Sequence, residues 1–342
     1  MLFSISASLL SFLPVYHISP QRHICYNEKN TKRSWATLWK FFYIFSAALY
    51  LSAGYAVYRR LFIRRRSNKP YDCHGNDPVR AQAHEQGLLW LKAHPGEDVC
   101  LSCGGTTLRG HFFSQDSPTT VLLAHGYNSI WKSRLSDAPF YYARGYNLLL
   151  IDQRAHGESG GHRIGMGALE KDDLLEWMRW IRERSGKDCR ILLDGVSMGG
   201  ATVLLAAGAH PPENLRAVVS DCAYTNAYAQ CAYLAGQEYS HSWAKGLLLP
   251  LVNLYCRLLA GYSLTDASPL DAVARAEVPI FFLHGQEDHF VPTAMAEELF
   301  HACASGKKEL LLVPGARHAA ARSHAPALCR DALSRFLDSL GL

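Results

Sequence analysis

The chain lacks the features that mark nucleotide-binding and nucleic-acid-binding proteins. Its 342 residues contain no Gly-x-x-x-x-Gly-Lys loop that would cradle a phosphate, and no stretch resembles a nucleic-acid-binding module. The formal net charge is only +5, and much of the positive excess lies in the N-terminal third. A local basic patch of this kind is not the broad positive field that nucleic acids require.

Cysteine pairs at metal-ligand spacing are also scarce. The chain has ten cysteines, but only Cys100 and Cys103 form a Cys-x-x-Cys pair, and no second such pair follows. Because a structural zinc site normally takes four ligands, we expect no metal, and nothing in the sequence calls for a cofactor. The irregular spacing of the cysteines favours a reducing compartment over a disulfide framework.

Charge is absent from one long stretch near the N-terminus. Residues 41–58 carry no charge, Trp39 and several tyrosines lie near the ends of this stretch, and arginines cluster at 59–66. About 20 apolar residues cross a bilayer, and aromatic residues favour its interfaces. The pattern predicts a single transmembrane anchor over residues 37–60 and a basic linker over 61–80. A buried core helix is the alternative.

The two flanks of this anchor differ in charge. Arginine and lysine are more frequent on its C-terminal side, which predicts a cytoplasmic position for the domain that follows. Residues 1–36 are expected to be an N-terminal extension, either disordered or lying before the true start of the protein.

Residues 81–342 have the pattern of one large domain in which short apolar runs alternate with helical segments. Helices are predicted at 81–93, 168–184 and 331–340. The alternation is typical of an α/β fold with a mostly parallel, eight-stranded sheet flanked by helices, opening with a hairpin. The predicted strands are 99–101, 106–113, 120–124, 147–151, 190–193, 215–220, 278–283 and 310–313.

One segment interrupts the alternation. About 55 residues separate the strand ending at 220 from the strand starting at 278, and they are rich in Tyr, Leu and Ala. A simple crossover needs far fewer residues. We expect a small helical cap at about 225–275 that folds over the site. One longer crossover with a kinked helix is the alternative.

The pentapeptide at 195–199 is Gly-Val-Ser-Met-Gly, and it lies between a predicted strand and a helix-favouring segment. This Gly-x-Ser-x-Gly context is typical of a nucleophile elbow, in which a strained turn exposes a serine hydroxyl. The flanking glycines leave room for the neighbouring strand and helix. Ser197 is therefore the predicted nucleophile.

A serine nucleophile needs a general base, and the base needs an acid that orients it. Downstream of Ser197, Asp288 and His318 each follow a predicted strand, at the end where an open α/β sheet places its ligands. His324 is an alternative base, although it lies in a helix-like stretch. Glu287 and Asp221 are alternative acids.

The negative oxygen of a tetrahedral intermediate also needs hydrogen-bond donors. The backbone amides of Tyr127, in the loop after an early strand, and of Met198, directly after the nucleophile, are the expected oxyanion hole. Gly126 lets the loop approach closely, and His125 is expected to brace it.

Four motifs in this order resemble the α/β-hydrolase superfamily, in its monoglyceride-lipase and serine aminopeptidase S33-like branch, including small membrane-anchored bacterial members. They are His-Gly-Tyr-Asn at 125–128, Asp-Gln-Arg-Ala-His-Gly-Glu-Ser at 152–159, the pentapeptide, and His-Gly-Gln-Glu-Asp at 284–288 with Val-Pro at 291–292 and His318. The second motif has Ala155 where the family commonly has glycine. In the family this loop is structural, which implies that Asp152, Arg154 and His156 are not catalytic.

The resemblance implies a serine hydrolase that cleaves acyl esters through an acyl-enzyme intermediate, with a small-molecule or lipid-like ester as its partner. The predicted membrane anchor lies outside the resemblance and would place this hydrolase at a membrane. A monoglyceride, a lysolipid or an acylated thiol would suit an apolar cap near a membrane. A peptidase or amidase of the same fold is one alternative. A non-catalytic, membrane-bound binding protein is another.

Overall fold

The computed structural model describes residues 28–64, 77–238 and 242–342. Residues before Leu51 belong to one compact unit, and Leu51–Leu342 form a second. The predictions for residues 1–27 of the extension and 65–76 of the linker lie outside the described residues.

The second unit contains an eight-stranded sheet in the order β1-β2-β4-β3-β5-β6-β7-β8. The pairs β1–β2 and β2–β4 are antiparallel, and every later pair is parallel. The predicted mostly parallel sheet with an opening hairpin is therefore confirmed. The strands are β1 (Glu97–Cys103), β2 (Thr106–Phe113), β3 (Thr119–Ala124), β4 (Asn147–Asp152), β5 (Arg190–Val196), β6 (Leu215–Asp221), β7 (Ile280–Gly285) and β8 (Lys308–Val313).

Helices flank this sheet. They are α1 (Glu28–Phe62), α2 (Pro78–Ala93), α3 (Ala138–Ala143), α4 (Glu170–Ser185), α5 (Met198–Ala207), α6 (Ala227–Glu238), α7 (Ser242–Tyr255), α8 (Pro269–Val273), α9 (Thr293–Ala302), α10 (Ala321–His324) and α11 (Pro326–Asp338). A 3₁₀ turn covers Trp131–Arg134, and a π-helical turn covers Cys256–Ala260.

Several bounds differ from those predicted, and prolines explain three of them. Helix α2 begins at Pro78 instead of 81, because Asp77 caps it and proline suits the first helical turn. Helix α11 begins at Pro326 instead of 331, because proline suits its first turn as well. Strand β7 begins at Ile280 instead of 278, directly after Pro279, which has no amide hydrogen for the sheet.

Successive residues of the inner strands face opposite sides of the sheet. In β3, Leu122 belongs to one buried apolar cluster, whereas Val121 and Leu123 belong to another. Because both faces are covered, the inner strands are continuously apolar instead of alternating. This explains why short apolar runs were sufficient to locate them.

The end of α1, from Leu51 onward, is part of the second unit and is packed within it. Tyr58 and Phe62 are each only 1% exposed, and a Cβ built on Gly54 would lie 2.3 Å from a methyl carbon of Leu251 in α7. The predicted anchor ends at residue 60, and the predicted linker begins at residue 61. In the structure the helix runs on to Phe62, and its last turns are part of the apolar core.

Two buried histidines brace the loops that follow β3 and β4. Nδ1 of His125 lies 2.7 Å from the carbonyl oxygen of Gly126, and its Nε2 accepts the amide hydrogen of Gln153 at 3.0 Å. His156 contacts the carbonyl oxygen of Arg154 and accepts the amide hydrogen of Asn128 in the same way. Each ring thus bridges two backbone segments, as expected for His125.

These braces require neutral imidazole rings. Burial lowers the pKa of His125 to about 4 and that of His156 to about 3. In the unfolded chain a histidine has a pKa of about 6.5. Between these values the unfolded chain binds more protons than the folded one, so acidification destabilises the fold.

We expect the free energy of unfolding to fall as the pH drops from 7 to 4.5, and His156→Gln to make this fall shallower. Each such histidine contributes a slope of about 1.4 kcal/mol per pH unit within its window. Glutamine can replace one donor and one acceptor of the ring. Denaturant unfolding of the purified full-length protein at a series of pH values measures the slope.

The matched control is His289→Gln, because the side chain of His289 is 82% exposed. It should leave the pH dependence as in the unaltered protein. Parallel stability curves for the unaltered protein and His156→Gln would contradict the assignment of a neutral brace.

Candidate active site

The serine of the Gly-x-Ser-x-Gly pattern lies at a sharp turn between β5 and α5. Ser197 has φ 56° and ψ −117°, a conformation that residues with a side chain rarely adopt. A Cβ built on Gly195 would lie 2.1 Å from the carbonyl oxygen of Gly199, and one on Gly199 would lie 2.5 Å from that of Ala124. Only glycine fits at these two positions, so the sequence pattern follows from the close approach of strand, turn and helix.

The three predicted triad residues lie within hydrogen-bonding distance of one another. Nε2 of His318 is 2.9 Å from Oγ of Ser197, and its Nδ1 is 2.7 Å from Oδ2 of Asp288. They come from the carboxyl ends of β5, β7 and β8, which meet at one edge of the sheet. This geometry suits transfer of the serine proton to the imidazole.

Asp288 is held as a carboxylate. Its Oδ1 accepts the amide hydrogens of Phe290 and Val291 at 2.9 and 2.8 Å, and Nε2 of His284 lies 3.2 Å from its Oδ2. Burial alone would raise the pKa of Asp288, but the hydrogen bonds from His284 and His318 outweigh burial and hold this pKa well below its usual range. The negative charge can therefore orient His318 at neutral pH.

The side chains of the alternative bases and acids make other contacts. His324 ends α10, where its Nε2 would lie 3.1 Å from a Cβ built on Gly315. The side chain of Glu287 is 58% exposed. The buried carboxylate of Asp221 faces Nε of Arg322 at 3.5 Å. The structure thus brings together the favoured residues and not their alternatives.

The two predicted oxyanion positions flank Ser197. A Cβ built on Gly126 would lie 3.4 Å from Cβ of Ser197, so the segment that contains Tyr127 passes directly beside the elbow. Met198 is the first residue of α5, and amides at a helix N-terminus have no acceptor within their own helix. Both predicted positions therefore lie beside Ser197, where an oxyanion hole requires backbone N–H groups.

The loop at 152–159 has structural contacts. Asp152 accepts the amide hydrogens of Trp131 and Glu158 at 2.8 Å each, and Arg154 forms a paired ionic contact with Asp173. Ala155 has φ 60°, a left-handed conformation that explains why the family commonly has glycine there. These side chains fix the loop instead of touching Ser197.

Sequence reasoning missed a buried ionic cluster beneath the site. Asp194, three residues before Ser197, is fully buried and accepts hydrogen bonds from Arg134 at 2.9 Å, from Tyr141 at 2.6 Å, and from Arg322 at 2.8 and 3.0 Å. Arg322 also lies 3.2 Å from Asp137. The available signal was an aspartate inside an apolar strand, because a buried carboxylate requires a cationic partner.

One group of potential metal ligands comes together within the described ranges. It consists of Cys222, Asp288 and His318, whose donor atoms lie within 4.8 Å of one another. Burial raises the pKa of the Cys222 thiol well above its usual value, which disfavours the thiolate that a metal requires. The aspartate and histidine are already hydrogen-bonded to each other, so we interpret the group as part of the predicted triad.

A cavity of about 600 Å³ opens beside Ser197 and His318. Its walls come from α2, from the loop and 3₁₀ turn after β3, and from the segment around α10. No described residue of the 225–275 segment lines it. The cap helix α6 instead contacts the loop after β7, where Gln230 and Tyr233 bond to the carbonyl oxygens of Phe290 and His289.

Comparison with known proteins agrees with this geometry. A family model for the alpha/beta hydrolase fold matches residues 119–275, and a model for serine aminopeptidase S33 matches residues 250–322. An uncharacterized Bacillus subtilis protein, YqkD, is 30% identical over 71% of this chain and 79% of its own length. A thermostable monoacylglycerol lipase from Bacillus sp. strain H-257 is 27% identical over 61% of this chain and 86% of its own length.

A solved structure supports the fold assignment independently. The Pyrococcus furiosus esterase Pf2001 superposes with a TM-score of 0.60 at 20% identity, covering 81% of this chain and 98% of that one. At this identity the likeness concerns the fold. Together with the YqkD match and the elbow geometry, it shows that the chain belongs to the α/β-hydrolase family.

Proposed function

We propose that this protein is a serine hydrolase that cleaves carboxylic esters through an acyl-enzyme intermediate. The continuous hydrogen-bonded path from Ser197 through His318 to Asp288 carries this proposal. The similarity to a monoacylglycerol lipase favours an ester substrate. The strained backbone of Ser197, which projects the hydroxyl toward the cavity, gives further support.

In the proposed reaction Oγ of Ser197 attacks the ester carbonyl carbon while Nε2 of His318 takes the hydroxyl proton. The amides of Tyr127 and Met198 bind the negative oxygen of the tetrahedral intermediate. The intermediate collapses, the C–O bond to the alcohol breaks, and His318 donates its proton to the leaving oxygen. Water then attacks the acyl-enzyme with the same proton transfers and releases the acid and the free serine.

Ser197→Ala should abolish hydrolysis of short p-nitrophenyl esters and labelling by a fluorophosphonate probe. Asp288→Asn should retain slow labelling but lower kcat by about 10³–10⁴-fold, because His318 loses the carboxylate that fixes its tautomer. Steady-state kinetics and in-gel fluorescence of the purified protein measure both effects.

Ser305→Ala provides the control, since Ser305 is buried but bonds to the backbone around Glu277 and Lys307. It should keep both hydrolysis and labelling. Undiminished ester hydrolysis by Ser197→Ala would refute the nucleophile, and absence of labelling in the unaltered protein would favour a non-catalytic binding protein.

A peptidase or amidase is the second candidate function, and the match to the serine aminopeptidase S33 model favours it. A p-nitrophenyl ester and a p-nitroanilide of the same acyl group separate the two. We expect kcat/KM to be at least 100-fold higher for the ester, because the amine leaving group demands stronger protonation. A ratio near one would favour the peptidase.

Membrane anchoring by α1 is part of the proposal. Residues Trp35–Phe62 form a helix with a mean hydropathy of 1.4, long and apolar enough to cross a bilayer, although a signal sequence or a core helix passes the same test. Only 11% of its apolar 18-residue window is buried, which supports an anchor over a core helix. The arginine and lysine bias of the flanks favours a cytoplasmic catalytic domain.

Thiol labelling in cells tests this topology. Cys100 is exposed in the catalytic domain. In a Cys25→Ser, Cys73→Ser variant, we expect a membrane-impermeant maleimide to label Cys100 only after the cells are permeabilised. Further replacement of Cys100 by serine identifies the labelled position. Labelling of Cys100 in intact cells would contradict a cytoplasmic domain.

A further inference from the structure

The loop that carries Tyr127 is bonded to the last turn of α1. The hydroxyl of Tyr127 donates a hydrogen bond to the carbonyl oxygen of Leu61 at 2.7 Å, although the two residues are 66 positions apart in the chain. Leu61 lies one residue before the end of α1 at Phe62. The last four carbonyl groups of an α-helix have no partner within the helix, so that of Leu61 can accept this bond. The end of α1 therefore reaches the proposed oxyanion loop.

The chain directly after Leu61 is fastened to the loops that follow β4. The amide of Ile164 donates to the carbonyl oxygen of Phe62 at 2.9 Å, and the amide of Arg64 donates to that of His162 at 2.8 Å. The guanidinium group of Arg64 also bonds to two carbonyl oxygens of the loop at 152–159. These bonds hold the end of α1, and with it the carbonyl group of Leu61, at a defined place in the catalytic domain.

The residues on either side of Tyr127 are held by the two histidine braces. Nδ1 of His125 lies 2.7 Å from the carbonyl oxygen of Gly126, and the amide of Asn128 donates to Nε2 of His156 at 3.1 Å. The bond to Leu61 adds a point of attachment for Tyr127 itself, through its side chain. Because the tyrosine side chain is rigid and has two torsions, fixing its hydroxyl also constrains its backbone amide.

The position of this amide matters for the proposed reaction. An oxyanion donor acts when it lies about 2.7–3.1 Å from the place that the negative oxygen will occupy. A small displacement of the loop therefore weakens the stabilisation of the transition state, without changing the binding of the uncharged ester to the same extent.

We propose that the end of α1 is a positioning element of the active site, and that the hydroxyl of Tyr127 is the link through which it holds the oxyanion amide. The inference rests on the ester hydrolysis proposed above. It gives α1 a role in catalysis besides attachment to a membrane, because the full rate requires that its last turn is bonded to the oxyanion loop.

Tyr127→Phe removes this hydroxyl and keeps the ring. In the purified full-length protein, kcat for p-nitrophenyl butyrate should fall about tenfold, less than the roughly 10²–10³-fold loss of a complete oxyanion donor, because the amide is displaced but still present. KM should change less than about twofold, since the oxyanion forms only in the transition state. The rate of fluorophosphonate labelling should fall with kcat, because attack on phosphorus also places negative charge on an oxygen in this hole.

Tyr224→Phe is the matched control. The hydroxyl of Tyr224 is also buried, and it donates to the carbonyl oxygen of Met166 at 2.8 Å, in the loop before α4. Its loss should lower the temperature of thermal unfolding about as much as Tyr127→Phe does. It should change kcat and the labelling rate less than about twofold, because no oxyanion donor is displaced.

A second pair of substitutions tests the contribution of α1 itself. Arg64→Met removes the guanidinium bonds behind the last turn, whereas Arg60→Met removes the same charge from an exposed position of the helix. Arg64→Met should lower kcat about threefold or more in the otherwise unaltered protein, but less than about twofold in a Tyr127→Phe background, where the link is already missing. Arg60→Met should leave kcat unchanged. Equal effects of Arg64→Met in both backgrounds would refute the link through Tyr127.

The outcomes separate this inference from the proposed function. If Tyr127→Phe keeps the kcat of the unaltered protein, or lowers it no more than Tyr224→Phe does, α1 has no positioning role and ester hydrolysis stands. A raised KM with an unchanged kcat would make the Tyr127 hydroxyl a substrate contact and overturn the inference as well. If the unaltered protein neither cleaves esters nor is labelled at Ser197, the proposed function falls and the inference falls with it.

Discussion

The active-site edge of the sheet depends on one buried charge, the carboxylate of Asp194. A carboxylate with no exposed surface would be costly without partners. Burial alone would raise its pKa, but Arg322 and Arg134 outweigh burial and hold the pKa below its usual range. Arg134 lies in the turn after β3, and Arg322 lies in the segment that follows His318. The need to neutralise one strand residue thus holds in place the two segments that carry the proposed oxyanion loop and His318, the proposed general base.

The pairing of Asp221 with Arg322 also helps to explain how the strained backbone of Ser197, the predicted nucleophile, is tolerated. Ser197 adopts a backbone conformation that costs on the order of 1–3 kcal/mol, and such conformations persist only when their surroundings fix them. The amide of Ser197 donates to the carbonyl oxygen of Asp221 at 2.8 Å, and the side chain of Asp221 faces Arg322. The elbow is therefore fixed from strand β6 as well as by the glycines on either side of Ser197.

The sequence was informative wherever the constraint was local. The elbow needs two glycines, a strand before them and a helix after them, all within one short segment. Each of these features could be predicted from the sequence. The inner strands were readable because burial on both faces makes them continuously apolar. The ionic cluster was not, because Asp194 and Arg322 are 128 residues apart, and an aspartate inside an apolar strand does not reveal which cation pairs with it. Pairing across that distance is a property of the folded topology.

The apolar composition of the 225–275 segment predicts contact with an acyl chain. In the structure, described residues of this segment pack against α1 instead. Leu251 packs against Gly54, and the ring of Tyr255 lies beside those of Tyr55 and Tyr58, so part of this surface covers the end of α1. Composition cannot distinguish a residue that binds substrate from one that packs against another helix.

This packing also limits how much of α1 is available to a membrane. Burial begins at Gly54, and the residues from Trp35 to Ala53 are exposed apart from the half-buried Ser46. At about 1.5 Å per residue these 19 positions span about 28 Å, close to the roughly 30 Å hydrocarbon thickness of a bilayer. The proposed anchor is therefore long enough without the turns that the catalytic domain buries. Since those turns belong to the apolar core, the same helix would serve as anchor in its first part and as a structural element of the enzyme in its last.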